Sequence, residues 1–241
     1  IFVAGGELTL FVPGILPGKS VTERLQGLKA DPTLLGNGML NAYLAVLVPR
    51  LRAVFAGPLI YASLAFEQVD WEPFDYVGVD HYREARTKDR YLEMLQPFLA
   101  TGKPVIVTEF GMRTFRGAES SGALGFGVTD TTRLWLHTRP LIGRFFRSRL
   151  SGTFERDEAM QARELAETLD QLERAGVAGA LLSTFVTPEA HTDDDPPYDV
   201  DMDSMSIVKS LPGGRHGASY PDMAWEPKEA FAVVAQHFAG Q

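Results

Sequence analysis

Short apolar runs alternate along this chain with longer stretches in which apolar residues return every three or four positions. That alternation sets the expected architecture. Ile1–Gly5, Pro58–Leu64, Phe74–Tyr82, Pro104–Phe110 and Gly179–Val186 have the length and apolar content of strands. Helical spacing marks Val21–Leu28 and Asn37–Ala56, the latter with Leu40, Leu44, Leu47, Leu51, Val54 and Phe55 on its apolar side. It also marks Lys88–Ala100, carrying Leu92, Leu95, Phe98 and Leu99, and Arg156–Ala175, carrying Ala162, Leu165, Leu169 and Leu172. Gly176 stands where a helix-ending glycine belongs. Pro227–Phe238 reads as a closing helix, Leu8–Val12 as strand or loop, and Ser206–Leu211 as a spare strand-like stretch. Helices between short buried strands are the pattern of parallel βαβ units. No linker-like break or fixed-period repeat interrupts it, so residues 1–241 are expected to form a single α/β domain.

Composition narrows the classes. The chain has 241 residues, 45% hydrophobic and 22% charged, which is ordinary globular usage. Its net charge of −8 argues against a nucleic-acid partner and against an anionic membrane surface. Arg139, Arg144, Arg147, Arg149 and Arg156 do cluster, but Leu141, Ile142, Phe145 and Phe146 share the segment. A solvated face beside a docking stripe is therefore expected there. With no cysteine, disulfides and thiolate metal sites are excluded. No apolar run approaches the ~20 residues that span a bilayer. The opening IFVAGGELTLF lacks a basic n-region and a small-residue cleavage site, so it is not read as a signal peptide. The expectation is a soluble chain, cytoplasmic in preference, with the compartment otherwise open. GALGFG, Gly122–Gly127, lacks the G-x-G-x-x-G order and a leading strand. HExxH, GxSxG and the P-loop do not occur. No cofactor and no resident metal are expected.

The chemistry stands at strand ends, where the loops of parallel α/β folds converge. The first strand runs into Gly5-Gly6-Glu7 and the second into Ala62-Ser63-Leu64, with Glu67 shortly after. The others give Asp80-His81-Tyr82, Thr108-Glu109-Phe110-Gly111 and Ser183-Thr184-Phe185. Glu7 and Glu109 occupy equivalent places three units apart, so two carboxyl groups can face each other across a cleft. Cleavage of a glycosidic bond needs such a pair, one as proton donor and one as nucleophile or base. Glu189, Asp193, Asp194, Asp195, Asp199, Asp201 and Asp203 form an acidic loop without EF-hand spacing, expected to be solvated rather than to bind calcium.

Several of these stretches resemble one family. GKPVIVTEFG is similar to the strand-seven nucleophile motif of (β/α)8-barrel glycoside hydrolases that carry the acid/base on strand four. FDYVGVDHYR resembles their strand six, WEPKEAFAVVAQHF their closing helix, and VAGGELTLF stands in the place of strand four. There the chain departs from the family's Asn-Glu pair, because Gly6 replaces the Asn that holds the sugar's 2-hydroxyl. Glu7 and Glu109 are about a hundred residues apart, the length of three βα units of ~30 residues with loops. The resemblance implies a partial (β/α)8 barrel of about five parallel strands, lacking the first three βα units. It implies Glu109 as nucleophile and Glu7 as acid/base. His81 and Tyr82 would orient Glu109, contact sugar or pack the barrel mouth. Phe185 takes the place of a Trp sugar platform, and Arg113 would meet an acidic sugar or the acidic loop.

The expectation is a retaining glycoside hydrolase acting on β-linked oligosaccharides or glycosides. The rivals are a catalytically degenerate sugar-binding relative and a metal-dependent barrel hydrolase using Asp80, His81 and His191. Open sheet edges lead to the expectation of a homo-oligomer.

Overall fold

The computed structural model describes residues 1–120, 127–137, 141 and 145–239. Its main sheet contains five strands: β1 (Phe2–Gly6), β2 (Leu59–Leu64), β3 (Tyr76–Asp80), β4 (Val105–Phe110) and β5 (Gly179–Leu182). They lie in the order β1-β2-β3-β4-β5, and β1 to β4 pair in parallel. Sequential order without a reversal separates this sheet from doubly wound folds and is the order of consecutive strands in a (β/α)8 barrel. The expected five strands are therefore present, each within a few residues of its sequence bounds. β2 is buried along its whole length, as a strand covered on both faces must be.

The chain divides into two compact units. The first holds residues 1–81, 93–109 and 177–181. Its helices are α1 (Leu8–Phe11), α2 (Val21–Ala30), α3 (Met39–Val54) and most of α4 (Tyr91–Leu99). Leu40, Leu44 and Val48 of α3 pack with Ile15, Leu59, Tyr61 and Phe74, and Trp71 joins them as core. Leu47, Leu51 and Phe55 pack against this core as expected, whereas Val54, expected on the same side, is 84% exposed. Leu8–Val12 is not strand or loop, because Leu8–Phe11 is helical. Leu95 and Phe98 of α4 are buried as expected.

The second unit holds residues 82–92, 110–176 and 182–241. It contains α5 (Thr131–His137), α6 (Glu158–Ala175), α7 (Glu229–Ala239) and a small antiparallel pair, β6 (Val208–Ser210) with β7 (Trp225–Pro227). The spare stretch Ser206–Leu211 is thus a strand, outside the main sheet. Asp157 caps α6 by accepting from the Met160 N–H, and Gly176 ends the helix in the left-handed region. Ala162, Leu165, Leu169 and Leu172 all lie on its buried face.

The acidic loop is not solvated throughout. Asp201 is fully buried and pairs with Lys228 Nζ at 2.9 Å and Arg156 Nη1 at 2.9 Å. Arg156 also holds Asp199, and Arg147 meets Asp193 and lies over the Tyr198 ring. Of the basic segment, Arg156 is drawn in to these buried carboxylates, which require paired cations, whereas Arg147 and Arg149 remain partly exposed and Arg149 meets Asp130. Arg139, Arg144 and Ile142 of that segment lie outside the described residues, as does Gly122–Gly127 except for its last glycine.

Candidate active site

Three strand ends of the first unit converge. Glu7 follows β1, Asp80 ends β3, and Glu109 lies near the end of β4. Each offers a carboxylate oxygen, and the three oxygens lie within 4.8 Å of one another. Two irregularities aim these side chains. The β1–β2 register shifts between Val3 and Gly6, just before Glu7. The β3–β4 register shifts between Val79 and Asp80, so that Asp80 comes opposite Glu109 with Thr108 as the extra residue. Bulges of this kind re-aim side chains at strand ends. The extra residue is used, because Thr108 Oγ1 donates to Asp80 Oδ1 at 2.7 Å.

Glu7 itself has a left-handed backbone, φ 50° and ψ 33°. Its N–H donates to the Ala62 carbonyl at 2.9 Å, which ties it to β2. From Glu7 the chain turns at once into α1, whose free N–H groups are met from far along the sequence. Leu8 N–H donates to Tyr61 Oη at 2.9 Å and Thr9 N–H to Glu67 Oε1 at 3.0 Å. Glu67 also accepts from the Leu64 N–H and the Tyr61 hydroxyl, which makes it a buried carboxylate with its oxygens occupied. Glu67 and Tyr61 therefore position Glu7 through α1.

Burial, with smaller contributions from the charges of Asp80, Glu109 and Glu67, pushes the Glu7 carboxyl up to about 7. Burial pushes Asp80 up to about 7 as well; the Thr108 hydrogen bond opposes this, while Glu109 and Glu67 add to it. Burial and the Glu67 charge hold the Tyr61 hydroxyl well above the usual phenol range. A buried carboxyl among like charges holds its proton to higher pH than a free one, the direction a general acid requires. The same oxygens are also the donor set that a divalent cation would use.

The structure brings Glu7 and Glu109 together, as their sequence positions suggest. His81 is buried beside them, and its backbone N–H donates to the Glu109 carbonyl at 2.8 Å. Tyr82, Arg113 and Phe185 belong to the second unit. There Arg113 is buried and its Nε lies 3.1 Å from Asp203 Oδ1, so of its two open partners it meets the acidic loop. Phe185 is 43% exposed and stacks edge-on against Trp225 at 5.3 Å. His191, one of the residues named for a metal site, bonds Ser210 Oγ through Nδ1 at 3.1 Å. Gly111, closing the nucleophile motif, is required by close approach: a Cβ there would lie 2.4 Å from the Ser183 carbonyl oxygen. Sequence reasoning assigned no role to Asp80 in the glycosidase reading or to Glu67 and Tyr61. Only the strand-end position of Asp80 could have signalled it.

The chain is similar to several solved structures of glycoside hydrolases. One is a GH113 β-1,4-mannanase, 13% identical, with a TM-score of 0.48 over 81% of this chain and 50% of that one. Another, a GH113 β-mannanase from Alicyclobacillus acidocaldarius, is 17% identical with a TM-score of 0.46 over 85% and 51% of the two chains. A β-glucuronidase from Ruminococcus gnavus is 14% identical, with a TM-score of 0.44 over 83% and 29%. The chain spans about half the length of the mannanases it resembles. No protein-family model and no curated protein matches it. Among the described residues no helix is long and apolar enough to cross a membrane.

Proposed function

We propose that this chain is a glycoside hydrolase that cleaves β-linked oligosaccharides or glycosides by double displacement with retention. The observation that carries the reading is the approach of Glu7 and Glu109 within 4.8 Å at the ends of strands in one parallel sheet. Retaining pairs stand roughly 5–5.5 Å apart, whereas inverting pairs leave ~6.5–9.5 Å for a water. Glu109 attacks the anomeric carbon and forms a glycosyl ester. Glu7, whose carboxyl burial pushes up to about 7, gives its proton to the leaving oxygen and then takes one from the water that hydrolyses the ester. His81, Tyr82 and Phe185 are assigned to the sugar site. Arg113 enters as the residue that fixes Asp203. The open edges of the sheet are assigned to pairing with a second copy.

Glu109→Ala should abolish turnover of aryl β-glycosides while the fold persists, and azide or formate should restore it as a surrogate nucleophile. Glu7→Ala should harm poor leaving groups most, since activated aryl groups need little proton donation. Full activity of the Glu109 variant ends this reading. A sugar-binding relative without turnover, favoured by Gly6, is separated by the same assay: the wild-type chain would bind oligosaccharide and release no product.

A further inference from the structure

The ends of α6 and α7 gather three donors that the proposed reaction does not use. Asp170 and Glu173 lie three positions apart on α6 and so share a face of that helix. His237 stands in the last turn of α7, which packs against α6. One oxygen from each carboxylate and one ring nitrogen of His237 lie within 4.8 Å of one another. Both acids are exposed and His237 is half-buried. The two acids are poorly placed on their own. Like charges three positions apart on a helix repel. The C-terminal end of a helix carries partial negative charge, which disfavours Glu173 in the last turn of α6 and favours a cation there. The last turn of α7 brings a second such end to the same place. The cation supplied by the chain is a weak one: Arg174 Nη2 is 3.9 Å from Asp170 Oδ2, and both side chains are more than half exposed. Among the described residues Glu173 has no ion-pair partner. We propose that Asp170, Glu173 and His237 form a binding site for a divalent transition ion of the zinc type, which ties α7 to α6.

The donor set selects the ion. One imidazole and two carboxylates suit Zn²⁺ and its neighbours in the transition series, whereas Ca²⁺ and Mg²⁺ take oxygen ligands. Zinc at ~2.1 Å from each donor sets the donors ~3.4 Å apart. They therefore need to close by at most about 1.4 Å, within the reach of exposed side chains. Three protein ligands leave the fourth tetrahedral position to water. Because the ligands come from two helices, the ion binds only while α6 and α7 are packed together, and it stabilises that state. All three residues belong to the second unit, and none is Glu7, Asp80 or Glu109. The site stands or falls apart from the hydrolase reading.

The test is a titration of the whole chain, stripped with EDTA and dialysed free of it, with Zn²⁺ alone. Calorimetry should show saturable binding whose affinity falls roughly tenfold or more in His237→Ala, Glu173→Gln and Asp170→Asn alike. With Zn²⁺ about a hundredfold above its dissociation constant, wild type should melt ~5–10 °C higher than without the ion. The three variants should lose most of that rise, and Ca²⁺ or Mg²⁺ at the same concentration should not reproduce it. Asp80→Asn, which alters the strand-end carboxylates instead, should keep the zinc response. The absence of saturable binding overturns the proposal. So does binding that Asp80→Asn abolishes and His237→Ala retains, because the strand-end cluster then holds the ion. Binding lost in His237→Ala but kept in both acid variants overturns it too, as the mark of a lone surface imidazole. An equal response to Ca²⁺ does the same, as the mark of acids alone. Should His237→Ala fail to fold, Glu173→Gln decides, since it alters an exposed side chain. A loss of zinc affinity in that variant supports the proposal, and an unchanged affinity overturns it.

Discussion

Glu7 is the one non-glycine residue with positive φ among the described residues. An L side chain in that region costs roughly 1–2 kcal/mol. The hydrogen bond to Ala62 and the turn into α1 hold it there. Glu7→Gly should consequently unfold at a higher temperature than Glu7→Ala, by about 1 kcal/mol in stability, while both lose the same carboxyl. The pH dependence has a definite sign. A carboxyl whose native value is raised from 4.5 to about 7 adds stability below the lower value and loses it as pH climbs to the upper one. Glu7→Gln should gain on wild type across that interval in thermal melts, and the alkaline limb of kcat/KM should fall near pH 7. Glu7 and Glu109 were legible in the sequence because each stands at the end of a short apolar run with the length of a strand. The approach of Asp80 to them was not, because it depends on Thr108 being the extra residue in a register that no spacing reveals.

Short elements carry the differences between sequence and structure. The strands were legible from their apolar runs, and α6 from its cap, stripe and closing glycine. α1 was not, because a helix of four residues has no periodicity to detect and its N–H groups are met by Tyr61 and Glu67, more than fifty positions away. Glu67→Gln tests this link. One oxygen of Glu67 must then become a donor facing other donors, which should cost ~1–3 kcal/mol in denaturant melts. Turnover should fall with it, although Glu67 touches no sugar in this reading. The acidic loop fails the solvated reading for a related reason. Its partners Arg156 and Lys228 stand on either side of it in sequence, and charge counting within the loop misses both. Lys228 is fully buried, bound to Asp201 Oδ2 at 2.9 Å and Thr114 Oγ1 at 2.9 Å. Asp201→Asn leaves that cation unneutralised, and chemical denaturation should register a loss of ~3–5 kcal/mol. Gly127 reports the same loop from the other side. It sits at φ +55°, and a Cβ on it would lie 1.9 Å from Asp203 Oδ1, where the loop accepts from Val128 and Thr129.

At the scale of the whole molecule the governing feature is the pair of edges in the main sheet. Among the described residues β1 has a neighbour only in β2, and β5 only in β4. Parallel strands are normally covered and paired on both sides, and an uncovered edge is a template for another chain. Neither edge carries the usual protection: no lysine or proline lies within β1 or β5. Apolar side chains are exposed on both, Phe2 at 41% and Val3 at 48% on the first, Leu181 at 53% on the last. A net charge of −8 opposes association only weakly at physiological salt, where screening acts within about 8 Å. The chain should therefore self-associate at micromolar concentration, burying more than ~1,000 Å² in the contact. Sedimentation velocity and light scattering should report a dimer or larger species that depends on protein concentration. Val3→Lys, which places a charge on the β1 edge without touching the carboxylate cluster, should shift that equilibrium toward monomer. A monodisperse wild-type monomer that unfolds cooperatively would show instead that both edges are already protected within one chain.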